Sequence, residues 1–462
     1  MIFRVSASHW VWGTDSRMLL EAFLANQGLT WGASLTLAAL ICGGYLLHCR
    51  RRLVQDEARK AEAESLGIDR PTGQFPFIDA LRCAGCATCI SACPEGDVLG
   101  IVGGTAVVIN GVRCIGIGAC EAACPVDAIK IGVGNFRDRE DVPLLDEGLQ
   151  SNLPGVFVAG ELGGLSLVSN AVRQGRKAVE TIAGVSDPDA KEANPEALDL
   201  VIVGAGPAGL SAALTAADAK LSYVVLEREK GLGGTILNYP RRKMVLTQPV
   251  DLAPWGKMAR EAYEKESLLE MFENLVADMK LEIRFDEPVA SLSRENGHWV
   301  VGSRSNTYLA RNVVLALGRR GNPRKLGVPG EALPKVMYRL IDADSYRGSN
   351  LLVVGGGDSA VEAAISLAKD SANDVYLSYR KEQLFRIKQK NRRAIERLIQ
   401  KGSVRPIFSS VVEEITPKTV RLRVGEEEIS EIPNDYVFVS IGGEPPFRLL
   451  RQFGLQFGGQ EA

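Results

Sequence analysis

Histidine is almost missing from this chain. His9, His48 and His298 are the only three in 462 residues. The first two belong to the N-terminal end, and His298 follows Asn296-Gly297 in an expected hairpin turn, so each reads as structural or solvated. No catalytic acid or base is assigned. A charge excess of either sign is also lacking: 54 basic residues face 56 acidic ones, so nothing in the overall balance points to nucleic acid. Cysteine is absent after Cys124, which excludes an internal redox dithiol from the larger C-terminal part. The nine cysteines present are unevenly placed, with Cys42 and Cys49 near the start and seven between positions 83 and 124. Disulfide-stabilised secreted domains spread their cysteines more evenly, so this clustering favours metal ligation in a reducing compartment. The length allows two to four domains, with ample material for buried cores.

From Leu29 to Cys49, "LTWGASLTLAALICGGYLLHC" carries no formally charged side chain, about the length needed to cross a ~30 Å hydrocarbon layer. Arg50, Arg51 and Arg52 follow at once, with Arg59 and Lys60 behind. The expectation is one anchor helix over about 29–49, single-pass in the inner membrane, with everything after residue 50 in the cytoplasm. A cleaved signal peptide would carry its positive charge before the apolar run, not after it. A buried core helix is the remaining alternative.

"CAGCATCISACP" sets Cys83, Cys86, Cys89 and Cys93 in a C-x2-C-x2-C-x3-C-P pattern, and "CIGIGACEAACP" repeats it with Cys114, Cys120 and Cys124. Thiolates at this spacing wrap three corners of a cubane from one loop, and the fourth leaves in another direction. Structural zinc is the alternative, but seven cysteines with two Cys-Pro endings fit clusters better. Between the motifs, Asn110-Gly111 reads as a hairpin turn. In the second copy Ile117 fills a cysteine position, and its side chain cannot ligate iron.

Beginning at Leu198, an apolar strand, a glycine turn, a helix and a second strand present Gly204, Gly206 and Gly209 as G-x-G-x-x-G. These allow the tight turn, the approach of pyrophosphate and the packing of helix on strand. Glu227 ends the second strand, where it is placed to accept hydrogen bonds from a ribose, and Gly233-Gly234 offer another close backbone approach. A second such unit carries Gly355, Gly357 and Ala360, with Asp358 and Ser359 in the turn. Its second strand ends in Ser378-Tyr379-Arg380-Lys381, without a carboxylate. Arg380 and Lys381, joined by Arg386, suit a 2′-phosphate, so NADP(H) is favoured and NAD(H) stays open. The basic run through Lys388, Lys390, Arg392, Arg393 and Arg397 reads as the solvated face of a helix, with docking of an acidic partner as the sharper alternative.

The cysteine pair of motifs, over about residues 74–133, resembles the bacterial two-cluster ferredoxins. In that family the fourth cysteine of each motif serves the other cluster. The resemblance therefore implies a [4Fe–4S] cluster on Cys83, Cys86, Cys89 and Cys124. Cys93, Cys114 and Cys120 are left with a second cluster one ligand short, for which [3Fe–4S] is preferred; a four-iron cluster with an exogenous ligand, or an empty site, remains open.

The tandem glycine folds, with "VVLALG" at 313–318 and "DYVFVSIGGEPP" at 435–446, resemble the thioredoxin reductase-like flavin-dependent pyridine nucleotide oxidoreductases, but without their C-x-x-C. The resemblance implies FAD on the first fold, with Gly318 at its site. In that family the chain returns at its end to finish the flavin domain. Here "SNLPGVFVAGELGG" (151–164), with Gly160 and with Glu161 in place of the family's aspartate, looks like that finishing segment moved forward. "SLVSNAVRQGRKAVETIAG" then looks like its helix, with the N-terminus toward the flavin. A circular permutation accounts for this; the alternative makes 140–185 part of a separate domain, with the flavin site completed by a partner chain.

The expected fold class is α/β: two Rossmann-like three-layer dinucleotide-binding domains, preceded by a small α+β ferredoxin-like domain and one transmembrane helix. The domain plan is an N-terminal segment 1–52, linker 53–73, ferredoxin-like domain 74–135, displaced flavin-domain part 136–185, linker 186–197, flavin domain 198–330, nicotinamide domain 331–446 and tail 447–462. The expected activity is electron movement between NAD(P)H, FAD, iron–sulfur clusters and an acceptor. The acceptor is expected to be a redox partner protein or a quinone, and a homodimer is left open. A flavin reductase of small disulfides, similar to the bacillithiol disulfide reductases that lack C-x-x-C, is the first alternative. An electron-carrying subunit of a membrane complex is the second.

Overall fold

A computed structural model describes residues 14–69, 74–132, 140–164, 167–185, 196–319 and 321–459. The described residues begin with a long helix, α1 (Thr14–Leu66). Its C-terminal end is not a linker, as residues 53–73 were expected to be. Ala63 and Ile68 are buried with Ile109, and Phe385 of the nicotinamide domain packs on the same cluster. Asp56 is 8% exposed and accepts from the Ile101 amide at 2.8 Å. Arg59 reaches from Asp56 to Asp97. The stretch 29–49 lies inside α1, yet among the described residues no helix is long and apolar enough to cross a membrane. Thr30, Gly32, Ser34, Thr36, Gly43 and Gly44 dilute it, and a run free of charge is not the same as a run rich in apolar surface. The expected transmembrane helix, and the single-pass inner-membrane placement built on it, are corrected accordingly.

The ferredoxin-like unit pairs β1 (Phe75–Ile78) with β4 (Ile129–Gly132). Between them lie α2 (Thr88–Ala92), the hairpin β2 (Leu99–Val102) and β3 (Thr105–Val108), and α3 (Ala119–Ala122). The hairpin turns at Gly103-Gly104, both at positive φ, as a two-residue loop matched to the strand twist requires. Asn110-Gly111, the expected turn, instead opens a short 3-10 turn over Gly111–Arg113.

The next sheet is assembled from separated pieces. In chain order they are β5 (Val156–Val158), α4 (Val168–Val185), β6 (Leu198–Val203), α5 (Pro207–Asp218), β7 (Tyr223–Leu226), α6 (Lys265–Met279), β8 (Ile283–Arg284), β9 (Val289–Glu295), β10 (His298–Ser303) and β11 (Thr307–Leu315). The parallel part runs β8-β7-β6-β11-β5, and β11 bonds β10 along its first half and β5 along its last three residues. "LDLVIV" of β6 is buried on both faces, as a central parallel strand must be. Asn296-Gly297 make the β9–β10 turn at positive φ. On one face α4 lies against α5 so closely that a Cβ at Gly175 would overlap the Ala208 carbonyl. The linker 186–197 falls almost wholly outside the described residues.

The last unit is a five-stranded parallel sheet in the order β12 (Val336–Met337), β16 (Tyr436–Val439), β13 (Asn350–Val354), β14 (Asp374–Ser378) and β15 (Val404–Ile407). It is flanked by α7 (Asp358–Leu367) and α8 (Gln389–Gln400). The expected tail is not loose: α9 (Phe447–Gln452) is followed by Phe453, Leu455 and Phe457, all buried in the flavin-domain core with Trp299.

Candidate functional site

In the first glycine turn, Gly204 and Gly209 meet the physical demands of a tight strand–helix junction. Gly204 sits at φ 109° under the Ala316 carbonyl, and a Cβ at Gly209 would overlap the Gly204 carbonyl oxygen. Gly206 faces open space at the start of α5, a cradle into which backbone amides and the helix end point. Glu227 is 5% exposed; it accepts from the Ala205 amide at 2.6 Å and from the Glu229 amide at 2.8 Å, which fixes it beside the turn. Gly233 donates to the Ala205 carbonyl, and a Cβ on Gly234 would lie 3.3 Å from the Gly206 Cα. Gly318 at φ 66° approaches Thr235 from the end of β11.

Gly160 and Glu161 arrive at this turn from the front of the chain. A Cβ on Gly160, at φ 87°, would lie 3.1 Å from that of Ala208 in α5, and the Gly160 amide donates to Gln174 Oε1 at 2.7 Å. Glu161 opens a short 3-10 turn and is exposed. At the start of α4, Ser169 is wholly buried and its Oγ finds no partner among the described residues. A buried hydroxyl at a helix N-terminus suits a ligand oxygen, so the set fits FAD. Ser169 belongs to no motif and was not singled out in the sequence; only its burial exposes it.

In the second fold Gly355 sits at φ 140° beneath the Ser440 carbonyl, Ala360 is fully buried in the third position, and Gly357 faces open space. The Tyr379 ring lies against Gly356. Ser359, Arg380, Lys381 and Arg386 are exposed. Asp358 is engaged differently from the cofactor contact expected of it: its Oδ1 accepts from the Lys388 amide at 2.9 Å and from Asn391 Nδ2 at 2.7 Å, holding the start of α8. A glycine cradle with exposed cations beyond the second strand fits a phosphorylated dinucleotide.

Seven cysteines line two cavities. Cys83, Cys86, Cys89 and Cys124 surround one, and Cys93, Cys114 and Cys120 surround the other together with Ile117. The loops are built alike. Gly85 and Ala87 flank Cys86 at φ 65° and 62°; Gly116 and Gly118 flank Ile117 at φ 68° and 80°. Ile117 therefore holds the same station as Cys86 on the same backbone, minus one thiol. Among the described residues no three His, Cys, Asp or Glu side chains converge closely enough to hold a single metal ion. Thiols standing around a cavity, with backbone amides donating to Cys83 and Cys124 sulfurs at 3.4 and 3.3 Å, form a donor set for a polynuclear cluster, not for mononuclear zinc. Burial raises the Cys89, Cys93 and Cys114 thiols above their ordinary range and pushes Cys120 up to about 11, whereas the Thr88 hydroxyl lowers Cys86.

The cluster unit is docked on both nucleotide folds. Gln248 Nε2 donates to the Ile117 carbonyl at 3.0 Å, and Asn170 Nδ2 donates to Gln74 Oε1 at 2.9 Å. Arg113, buried against Asp97, donates to the Phe385 carbonyl, and the Gln389 amide donates to Glu95. The start of the basic run thus meets an acidic residue of the same chain.

Comparison with known proteins agrees with this geometry. Residues 201–461 match the family model of pyridine nucleotide-disulphide oxidoreductases, and residues 75–125 match that of the 4Fe-4S dicluster domain. The chain is 34% identical over 270 residues to a ferredoxin–NADP reductase of Ignicoccus hospitalis, covering 57% of this chain and 83% of that protein. It is 29% identical over 261 residues to the bacilliredoxin reductase Bdr of Bacillus subtilis, covering 55% and 80%. The solved bacillithiol disulfide reductase Bdr (YpdA) from Staphylococcus aureus aligns with a TM-score of 0.52 at 26% identity, over 56% of this chain and 81% of that one. The chain belongs to the pyridine nucleotide-disulphide oxidoreductase family, as a flavin-dependent oxidoreductase that carries a 4Fe-4S dicluster domain.

Proposed function

We propose that the chain is an NADPH-dependent flavin/iron–sulfur oxidoreductase that passes electrons to a separate redox partner protein. The observation that carries the reading is the docking of the cysteine-lined loop on the flavin domain, through Gln248 to Ile117 and Asn170 to Gln74. When bound, FAD would accept a hydride pair and release it as single electrons, which the clusters would take one at a time. Arg380, Lys381 and Arg386 supply the cations that favour a 2′-phosphate. Gly160, Glu161 and Ser169 complete the flavin site opposite Gly206 and Glu227. The three thiols facing Ile117 suit a [3Fe–4S] cluster, and the four thiols of the other cavity suit a [4Fe–4S] cluster.

The order of the pieces is that of a circular permutation. Support comes from β5, which pairs in parallel with β11 through Val156↔Val313 to Val158↔Leu315, and from the Trp299 indole donating to the Pro154 carbonyl at 3.1 Å. A strand placed ahead of the family match thus fills the flavin sheet and brings the cysteine unit next to it.

Anaerobic mixing with NADPH tests the function. Flavin bleaching followed by cluster reduction is expected. Bleaching without cluster reduction would favour reduction of a small disulfide or similar substrate, the reading that similarity to bacilliredoxin reductase supports. No bleaching would reduce the chain to an electron-carrying subunit.

A further inference from the structure

We infer that the two cysteine-lined cavities stand in series: the three-thiol cavity is the inner, flavin-side station, and the four-thiol cavity is the outer one, from which electrons leave. The inference rests on the electron-transfer reading above. Loop 114–118 of the three-thiol cavity lies on the flavin domain. Gln248 holds the Ile117 carbonyl, and Gly116 packs on Gln74, whose side chain is held by Asn170 near the start of α4. A Cβ on Gly160 would meet both the neighbouring Ala171 and Ala208 at the flavin glycine turn. Two residues past Cys93, Glu95 accepts from the Gln389 amide of the nicotinamide domain. Of the residues lining the cavity only Pro94 is exposed.

The four-thiol cavity is the opposite case. Ala84, Cys86, Pro125 and Val126 of its lining are exposed, and Leu81 just before the first cysteine is 99% exposed. Its loops make no hydrogen bond to either nucleotide fold among the described residues. The proposed route for single electrons runs from flavin domain to inner thiols, to outer thiols, to the edge at Cys86. The balance is one NADPH oxidised to NADP⁺ with release of one proton, and two molecules of a one-electron carrier protein each reduced by one electron.

The test uses the full, cluster-loaded chain. A water-soluble dysprosium chelate speeds relaxation of an exposed paramagnet and spares a covered one. In dithionite-reduced protein the EPR signal assigned to the four-thiol site, by its loss in Cys86→Ser, should need several-fold more microwave power to saturate once the chelate is added. In oxidised protein, where a three-iron cluster is paramagnetic, the signal lost in Cys120→Ser should be unaffected. The reverse pattern, or equal effects on both, overturns the order. As a second arm, in Cys120→Ser the four-thiol signal should still develop with dithionite, showing that the variant folds and holds its cluster. With NADPH it should develop at least tenfold more slowly than in the parent chain; an unchanged rate overturns the order. Failure of NADPH to bleach the parent flavin would sink the proposed function instead, and leaves the chelate measurement intact.

Discussion

The two dinucleotide folds solve one problem with opposite chemistry at the end of the second strand. In the flavin fold that strand runs into Glu227, 5% exposed and tied to two backbone amides. In the nicotinamide fold it ends at wholly buried Ser378, after which Arg380 and Lys381 stand in solvent. A buried, pre-aimed carboxylate suits a cofactor that stays bound, because its desolvation is offset once, on folding. Exposed cations suit a cofactor that must come and go. The folds also differ in construction: the nicotinamide sheet is drawn from one run of chain, whereas the flavin sheet borrows β5 from ahead of the family match.

The third glycine position separates the folds most sharply. Gly209→Ala forces a Cβ into the Gly204 carbonyl oxygen, backbone that cannot move without opening the strand–helix junction. Overpacking of this kind costs about 1–3 kcal/mol or more, so flavin content should fall by at least tenfold and thermal stability should drop. The mirror change, Ala360→Gly, only removes a methyl and loosens α7, costing about 1 kcal/mol with NADPH affinity nearly kept. Flavin absorbance and melting curves on the pair decide this; equal losses would mean the two junctions are built alike.

Next in size is the double change Arg380→Ala/Lys381→Ala. Two charge-assisted contacts at about 1.5 kcal/mol each correspond to roughly a hundredfold rise in KM for NADPH, with KM for NADH unmoved. Steady-state reduction of an artificial acceptor with each nucleotide measures the ratio. A parallel rise for both nucleotides would show that the cations steer any anion rather than reading the 2′-phosphate.

Much of this contrast is legible in the sequence, because glycine spacing and strand-end charge are local chemistry. The cysteine stations are legible for the same reason. Long-range placement is not. The apolar sequence around residues 99–108 offers two turn dipeptides, and the hairpin takes Gly103-Gly104 because that choice pairs "LGIV" with "TAVV" in full register and leaves Asn110 beyond the strands. Residues 29–49 show that counting charges misses the polarity of Thr, Ser and Gly. Gln74, Gln248 and Ser169 belong to no motif, and each acquires a role only through the neighbour the fold brings to it. Phe453, Leu455 and Phe457 read as a tail until Trp299 and α9 are seen to share their core.

Glu227→Gln sharpens the carboxylate side. The amide keeps one acceptor oxygen, so a hydrogen bond from either Ala205 or Glu229 is lost along with the charge that favours ribose hydroxyls. A loss of about 1.4 kcal/mol corresponds to tenfold weaker FAD retention, read by fluorescence of flavin released on dilution. Unchanged retention would mean that the backbone turn alone holds the cofactor, and the contrast with Arg380 and Lys381 would lose its meaning.

Glu161→Ala is the smallest and the most informative of these changes. Glu161 is exposed at the end of the borrowed strand, so its removal leaves no buried partner stranded and β5 stays paired with β11. If it reaches the cofactor, it does so through one solvent-edge hydrogen bond worth about 0.5–1.5 kcal/mol, and flavin should dissociate roughly three- to tenfold more readily. The melting temperature of the flavin-free protein should not move, which separates a binding role from a folding one. Flavin retention equal to that of the parent chain would deprive the displaced segment of its part in the site, leaving β5 as a strand that completes a sheet and nothing more.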